Sequence, residues 1–289
     1  MVTHVEELEG SRFVDGITYG EGPRWHDEKL WFTDGPRGVV MTAEVDGTLE
    51  EVLESPHPSG LGWLPDGTLV ISMLHQAKIL RVDDGQVSVL HDLSDQGWST
   101  NDLVVGPDGS IYFDLYLSRD TEGMPIGNIM RATPGGEVRG GEVRAVATDL
   151  ATPNGLGITP DGSTLVVSET AGNRLLAFDI APDGSLGAGR VFADLGEERN
   201  PDGLCLDAEG AVWVACYRSR EFVRVRDGGE ITHVVRIDAG WAVATALGGP
   251  DRRTLYLIAN DTTHEKFAQG ISDGWIEQVR VEVPGAGWP

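Results

Sequence analysis

The chain has 289 residues and a formal charge of −24, from 22 Lys and Arg against 46 Asp and Glu. So acidic a surface repels nucleic acid and anionic membranes, because phosphate binding needs clustered Lys and Arg. No apolar run approaches the roughly 20 residues of a membrane helix, and the acidic start lacks the features of a signal peptide, so a cytoplasmic location is expected.

The two cysteines, Cys205 and Cys216, are too few for a disulfide scaffold. Both stand in apolar runs and read as buried free thiols. Glycine occupies 39 positions, often beside Pro or Asp, which favours many short strands and tight turns.

One pattern recurs along the chain: a small residue, an apolar run, a Pro-Asp-Gly turn and a second apolar run. It begins in degenerate form at Gly22 to Asp34 and is sharp at Gly60 to Ser72, where Trp63-Leu64-Pro65-Asp66-Gly67 marks the turn. It returns at Asp102 to Asp114, Gly155 to Ser168 and Gly203 to Cys216, and again in degenerate form at Thr245 to Ala259. These six copies lie roughly 40 to 53 residues apart, the period of a propeller blade. Each copy predicts a β-hairpin, with Gly supplying the positive φ of the turn.

Third strands are predicted at Val39 to Ala43, Lys78 to Val82, Asn128 to Ala132, Arg174 to Ile180, Phe222 to Arg226 and Trp275 to Val283. Fourth strands are predicted at Leu49 to Leu53, Val87 to Leu93, Val143 to Leu150, Arg190 to Leu195 and His233 to Ile237. The last unit lacks a fourth strand, and Arg12-Phe13-Val14-Asp15 resembles Arg190-Val191-Phe192-Ala193-Asp194. The N-terminal strand is therefore expected to complete the last blade. The fold class is an all-β, six-bladed propeller with four strands per blade, expected as a single domain over residues 1–289.

In a propeller the first strand of each blade lines the central channel, and equivalent positions converge at one end. Counting back from each turn, the ring of residues where these strands begin reads Glu21, Ser59, Asn101, Asn154, Asp202 and Ala244. Asn154-Gly155 and Asp202-Gly203 are each ordinary turn dipeptides taken alone. Four carboxylates or carboxamides on one edge of a symmetric ring point instead to a metal site. All-oxygen donors with two negative charges suit one hard divalent cation, Ca²⁺ above all, with Zn²⁺, Mn²⁺ and Fe²⁺ as alternative occupants. The aspartates of the Pro-Asp-Gly turns (Asp66, Asp108, Asp161) belong to the other end of the blades.

Glu21-Gly22-Pro23, Asn101-Asp102, Pro153-Asn154-Gly155 and Pro201-Asp202-Gly203, with the segment Pro201 to Tyr217, resemble the markers of the senescence marker protein-30 (regucalcin)/gluconolactonase family over nearly the whole chain. The resemblance implies a metal-dependent lactonase in which Glu21, Asn154 and Asp202 hold the metal. Asp202 would double as catalytic general acid and base, and Asn101 would face substrate and metal. Sugar-lactone members carry an Arg two residues before this Asn, where Ser99 stands here, and Arg119 falls near the place of an expected acidic contact. Ser99 and Tyr116 join Asn101 as candidate substrate-binding residues, and the loss of the Arg predicts a lactone less polar than gluconolactone. The expected partner is thus a small lactone, with neither nucleic acid nor membrane. A non-catalytic metal-binding propeller and another metal-dependent ester hydrolase are the rival readings. No GxSxG elbow supports a serine hydrolase.

Among the remaining side chains, His75 and His264 are within reach of the mouth, a solvent-exposed loop position being the alternative for each. Trp98, Tyr116, Met124 and Trp241 are candidates for an apolar wall. The long connection from Tyr116 to Gly127 is a candidate lid.

Overall fold

The computed structural model describes residues 5–120, 123–133 and 141–287. In chain order the strands are β1 (Glu6–Leu8) and β2 (Ser11–Ile17), then β3 (Gly20–His26), β4 (Lys29–Asp34), β5 (Val39–Ala43) and β6 (Leu49–Glu54). The second unit has β7 (Pro58–Trp63), β8 (Leu69–Met73), β9 (Lys78–Asp83) and β10 (Gln86–Asp92), and the third β11 (Leu103–Val105), β12 (Ile111–Arg119), β13 (Pro125–Ala132) and β14 (Val143–Ala151). The fourth has β15 (Pro153–Ile158), β16 (Thr164–Glu169), β17 (Arg174–Asp179) and β18 (Arg190–Asp194). The fifth has β19 (Pro201–Leu206), β20 (Val212–Cys216), β21 (Glu221–Val225) and β22 (Ile231–Arg236). The sixth has β23 (Trp241–Gly248), β24 (Thr254–Asp261), the helix α1 (His264–Ala268) and β25 (Asp273–Arg280).

These strands form six antiparallel sheets, the six blades anticipated from the repeat. The inner strands β3, β7, β11, β15, β19 and β23 touch their neighbours in sequence order, and β23 touches β3 to close the ring. The sixth sheet runs β2-β25-β24-β23, so the N-terminal strand does complete the last blade. Asn260 ties this joint: its Oδ1 accepts from Gly20 N at 3.2 Å and its Nδ2 donates to Gly20 O at 3.4 Å. One addition was not anticipated. β1 lies parallel to β22 and makes the fifth sheet five-stranded.

Turn chemistry follows the sequence. Gly67, Gly109, Gly162 and Gly210 all have positive φ. Asp66 and Asp108 accept from the backbone N–H two residues on, each at 2.9 Å. The cores lie between and within the blades, as where Val104, Tyr112, Leu156 and Leu165 pack together. Cys205 and Cys216 are both free thiols, Cys216 buried and Cys205 half-buried, and burial pushes the Cys205 thiol up to about 12.

Two connections differ from expectation. The Tyr116 to Gly127 segment is mostly strand: β12 runs on to Arg119 and β13 starts at Pro125, and Arg119 pairs with Pro125 in register. The connection is thus a long hairpin, because backbone groups extending past the blade still pair with each other. Residues 121 and 122 lie outside the described residues. Between β24 and β25 the chain forms α1, whose N-cap Thr263 accepts from Lys266 N at 3.2 Å. Among the described residues no helix is long and apolar enough to cross a membrane.

Candidate active site

The residues singled out at the start of the inner strands stand in one recurring irregularity. Strand pairing slips between Glu21 and Arg24, Pro58 and Leu61, Pro153 and Leu156, and Pro201 and Leu204. Each slip is a β-bulge, which bends a strand and re-aims a side chain. Glu21, Ser59, Asn154 and Asp202 sit at these bulges, and all four line one cavity together with Asn101.

Packing requires the glycine after each such residue, and at Gly22 a positive φ of 53° requires it as well. A Cβ on Gly203 would stand 2.7 Å from Ala244 Cβ, and one on Gly155 2.5 Å from Asp202 O. The backbone of the next inner strand occupies that space. Asn-Gly and Asp-Gly here are strand dipeptides, so the reading of them as turns fails on geometry.

A second set of residues, which sequence inspection passed over, links these bulges from behind. Thr33 Oγ1 donates to Ser59 O at 2.9 Å, and Ser168 Oγ donates to Asp202 O at 2.7 Å. Ser72 Oγ donates to Asn101 O. In the third blade the equivalent residue is Asp114, fully buried, whose carboxylate accepts from Asn101 N at 2.5 Å and Asp102 N at 3.1 Å. Their signal was available: one small or acidic polar residue recurs near the end of an otherwise apolar second strand. Tyr19, just before the first repeat, also lines the cavity.

The cavity measures ≈ 580 Å³, within the roughly 300–1,000 Å³ usual for small-molecule sites. Its floor is acidic. Burial, and then the neighbouring charge of Asp202, hold the Glu21 carboxyl well above the usual carboxylate range. Burial, reinforced by Asp102, raises Asp202 to about 8, against hydrogen bonds from Asn154 and Gly203 N–H that lower it. Burial also raises Asp114. Around these acids runs a line of amides: Ser59 Oγ donates to Asn101 Oδ1 at 2.8 Å, and Asn101 Nδ2 donates to Asn154 Oδ1 at 3.0 Å. Arg24 is buried outside this cavity's lining, and its guanidinium donates to Asp102 Oδ1 at 3.0 Å and Leu103 O at 2.6 Å. A smaller cavity of ≈ 130 Å³ has Arg24 in its wall.

One wall is aromatic and partly basic. Tyr116, Trp98, His57, His75 and Arg119 all line the cavity. The Tyr116 hydroxyl donates to Pro153 O at 3.0 Å, and Trp98 lies 5.5 Å from the Tyr116 ring. His57 and His75 hold left-handed backbone, φ 46° and 68°. The opposite wall includes Tyr19 and Phe267, whose rings lie 4.6 Å apart. Phe267 comes from α1, which no sequence pattern announced. His264 packs on Trp241 at 4.9 Å in a separate groove, and neither Trp241 nor Met124 lines the cavity.

Ser99 is fully buried and turned into the wall. Its Oγ accepts from His75 N at 2.9 Å and donates to Thr100 O at 3.1 Å. Of the candidates for an apolar wall, Trp98 and Tyr116 do line the cavity, but Arg119 from β12 stands among them.

Residues 19–260 match the model of the SMP-30/gluconolactonase/LRE-like region. The chain belongs to this family. A pentonolactonase of Haloferax volcanii is 28% identical over 291 residues, covering 96% of each chain. A 6-deoxy-6-sulfogluconolactonase of Pseudomonas putida is 28% identical over 150 residues, about half of either chain (50% and 52%). A calcium-binding regucalcin structure from Agrobacterium tumefaciens superposes with a TM-score of 0.76 at 21% identity, covering 97% of this chain and 99% of that one. Its likeness shows the shared fold, while the lactonase relatives support lactone hydrolysis as the activity.

Proposed function

We propose that this chain is a divalent-cation-dependent hydrolase of a small lactone, acting in the cavity bounded by Glu21, Asn101, Asn154 and Asp202. The observation that carries this reading is a pair of carboxylates, the half-buried Glu21 and the buried Asp202, that repel one another in a cavity lined also by two carboxamides. Buried like charges are costly unless something neutralises them. Either a proton or a cation meets that need.

The donor chemistry fits a hard cation. Among the described residues no three of His, Cys, Asp and Glu gather into a metal-sized cluster, so the donors here are two carboxylates with amide oxygens, a set suited to Ca²⁺ more than to Zn²⁺. Glu21, Asn154 and Asp202 would hold the ion. Bound there, it supplies Lewis acidity to the lactone carbonyl and to the charge that develops on it.

The protein's own groups do the rest. Asp202, as carboxylate, accepts a proton from the attacking water as the new C–O bond forms. It returns that proton to the ring oxygen as the acyl C–O bond breaks, leaving a hydroxy acid. Asn101, held by Ser59 and Asn154, keeps its amide oriented in the cavity wall. Tyr116 and Trp98 offer flat faces on which a ring can lie.

The test is hydrolysis of a panel of sugar, aliphatic and aromatic lactones, followed by proton release, with added Ca²⁺, Mn²⁺ or Zn²⁺ and with chelator. Cation-dependent opening of a lactone is expected. Turnover of no lactone under any of these ions would leave the non-catalytic metal-binding propeller standing, and turnover only of acyclic esters would favour the other hydrolase reading.

A further inference from the structure

The cavity lining carries both signs of charge. Its floor carries Glu21 and Asp202, while the hairpin of β12 and β13 brings a guanidinium to the wall. Arg119 is held in place from two sides: its guanidinium carbon lies 4.4 Å over the Trp98 ring, and its Nη1 donates to Gly123 O at 2.7 Å. Stacking on an aromatic face leaves the in-plane N–H donors of an Arg free to meet an anion edge-on.

Those donors have little else to do. Among the described residues, no carboxylate lies within ion-pair distance of Arg119, and the Gly123 carbonyl is its one hydrogen-bond acceptor. Among the described residues Arg144, Arg218, Arg220, Arg252 and Arg253 likewise form no ion pair, and what sets Arg119 apart from them is its place in the lining of this cavity. In a chain where acids outnumber bases two to one, 46 against 22, a cavity-lining guanidinium that meets no carboxylate of the described residues offers a position for an anion.

The neighbours are shaped for the same purpose. His57 and His75 stand beside Arg119 on the cavity wall, their rings 5.9 Å apart. His75 is stacked parallel to Trp98 at 6.5 Å, and its backbone N–H is tied down by Ser99 Oγ. Ser99 thus steadies this wall instead of reaching for substrate.

We propose that Arg119 is an anion anchor that sets substrate choice: the lactone opened here carries a second, negatively charged group, a carboxylate or a sulfonate, that pairs with the Arg119 guanidinium beside His57 and His75. This inference rests on the lactonase reading and names its substrate class. The two signs of charge in the lining then orient the molecule. An anionic group is repelled by the acidic floor and attracted by Arg119, which turns the ester carbonyl toward Glu21 and Asp202.

The experiment compares kcat/KM for glucarolactone, its sulfonated counterpart sulfogluconolactone, and neutral gluconolactone, in wild type, Arg119→Gln and Arg119→Lys, at saturating cation. The wild type is expected to favour at least one acidic lactone by about tenfold or more, a charge-assisted pair being the source. Which of the two leads separates carboxylate from sulfonate. In Arg119→Gln that ratio should collapse toward one through a raised KM, and Arg119→Lys should recover part of it. A hairpin that merely needed Arg119 for its shape would lower all three rates together and leave the ratio unchanged, which overturns the proposal. Calorimetric titration with glucarate and gluconate decides the matter separately from catalysis. Tighter glucarate binding that disappears in Arg119→Gln upholds the anchor even if no lactone is hydrolysed; equal binding of the two by wild type sinks it even if gluconolactone is opened rapidly.

Discussion

Asp202 carries two demands at one carboxyl group. It is a candidate ligand, and it is the candidate acid and base. Burial and Asp102 raise it to about 8, so near neutral pH it exchanges its proton readily. Asp202→Asn keeps the size and the hydrogen-bonding edge but cannot take a proton. We expect kcat/KM for the best lactone to fall by about 10²–10⁴-fold or more, while the thermal midpoint without added cation holds or rises, since one of two repelling acids is gone. Paired kinetics and thermal denaturation check both halves. The pH dependence has a definite sign. A carboxyl whose folded pKa is raised contributes stability that is whole below the unfolded value, declines as the pH climbs, and is gone once the pH has risen through about 8. Glu21 and Asp114, raised by burial, act in the same direction. Without cation, the thermal midpoint should therefore fall from pH 5 to pH 8. Ca²⁺ must displace the Asp202 proton, so its affinity should rise by up to about tenfold per pH unit over that approach. Calorimetry at several pH values would show it, and a pH-independent affinity would contradict the assignment of Asp202 as a ligand.

At the scale of the element, the inner strand is the unit that matters. Four of the six, β3, β7, β15 and β19, carry near their start a bulge, a polar side chain that lines the cavity and a glycine pressed against the next blade. The Gly203 position shows how tightly these strands meet, with Ala244 Cβ 2.7 Å from where a methyl would stand. Gly203→Ala must push backbone against backbone, and we expect a loss of about 1–3 kcal/mol by urea denaturation. Because the displaced strand starts at Asp202, the same change should weaken cation binding more than an equally destabilising change in an outer strand. The Pro-Asp-Gly elements were legible because turn and strand chemistry agree in them. The bulges were not, since a slip in pairing depends on the partner strand, and Asn-Gly reads the same in a bulge as in a turn. α1 was likewise hidden: five residues offer too little periodicity to register, and its Phe267 was assigned nowhere.

At the scale of the whole molecule, closure rests on chain segments far apart in sequence. β2 supplies the last strand of the sixth blade, and Asn260 grips the backbone at Gly20. Deleting residues through Ile17 would strip β25 of its outer partner and leave Val14 and Ile17, both core residues, without replacement. We expect this truncation to lose the single cooperative thermal transition. Removal only through Leu8 should retain it, because β1 adds three residues along one outer edge. Calorimetric scans of the two truncations, side by side, test that contrast.

The sequence by itself determined the number of blades, the strand that closes the ring, and the set of polar residues gathered at one end. Repetition is a one-dimensional signal, and a closed ring converts equal positions in each repeat into neighbours in space. Only the tertiary structure decided what surrounds that set. It put Asp114 and three hydroxyls behind the bulges, turned Ser99 into the wall, brought Phe267 from a short helix, and carried Arg119 along an extended hairpin to the cavity. These placements depend on how loops of unequal length pack over one mouth. No repeat encodes that, because each such loop occurs once.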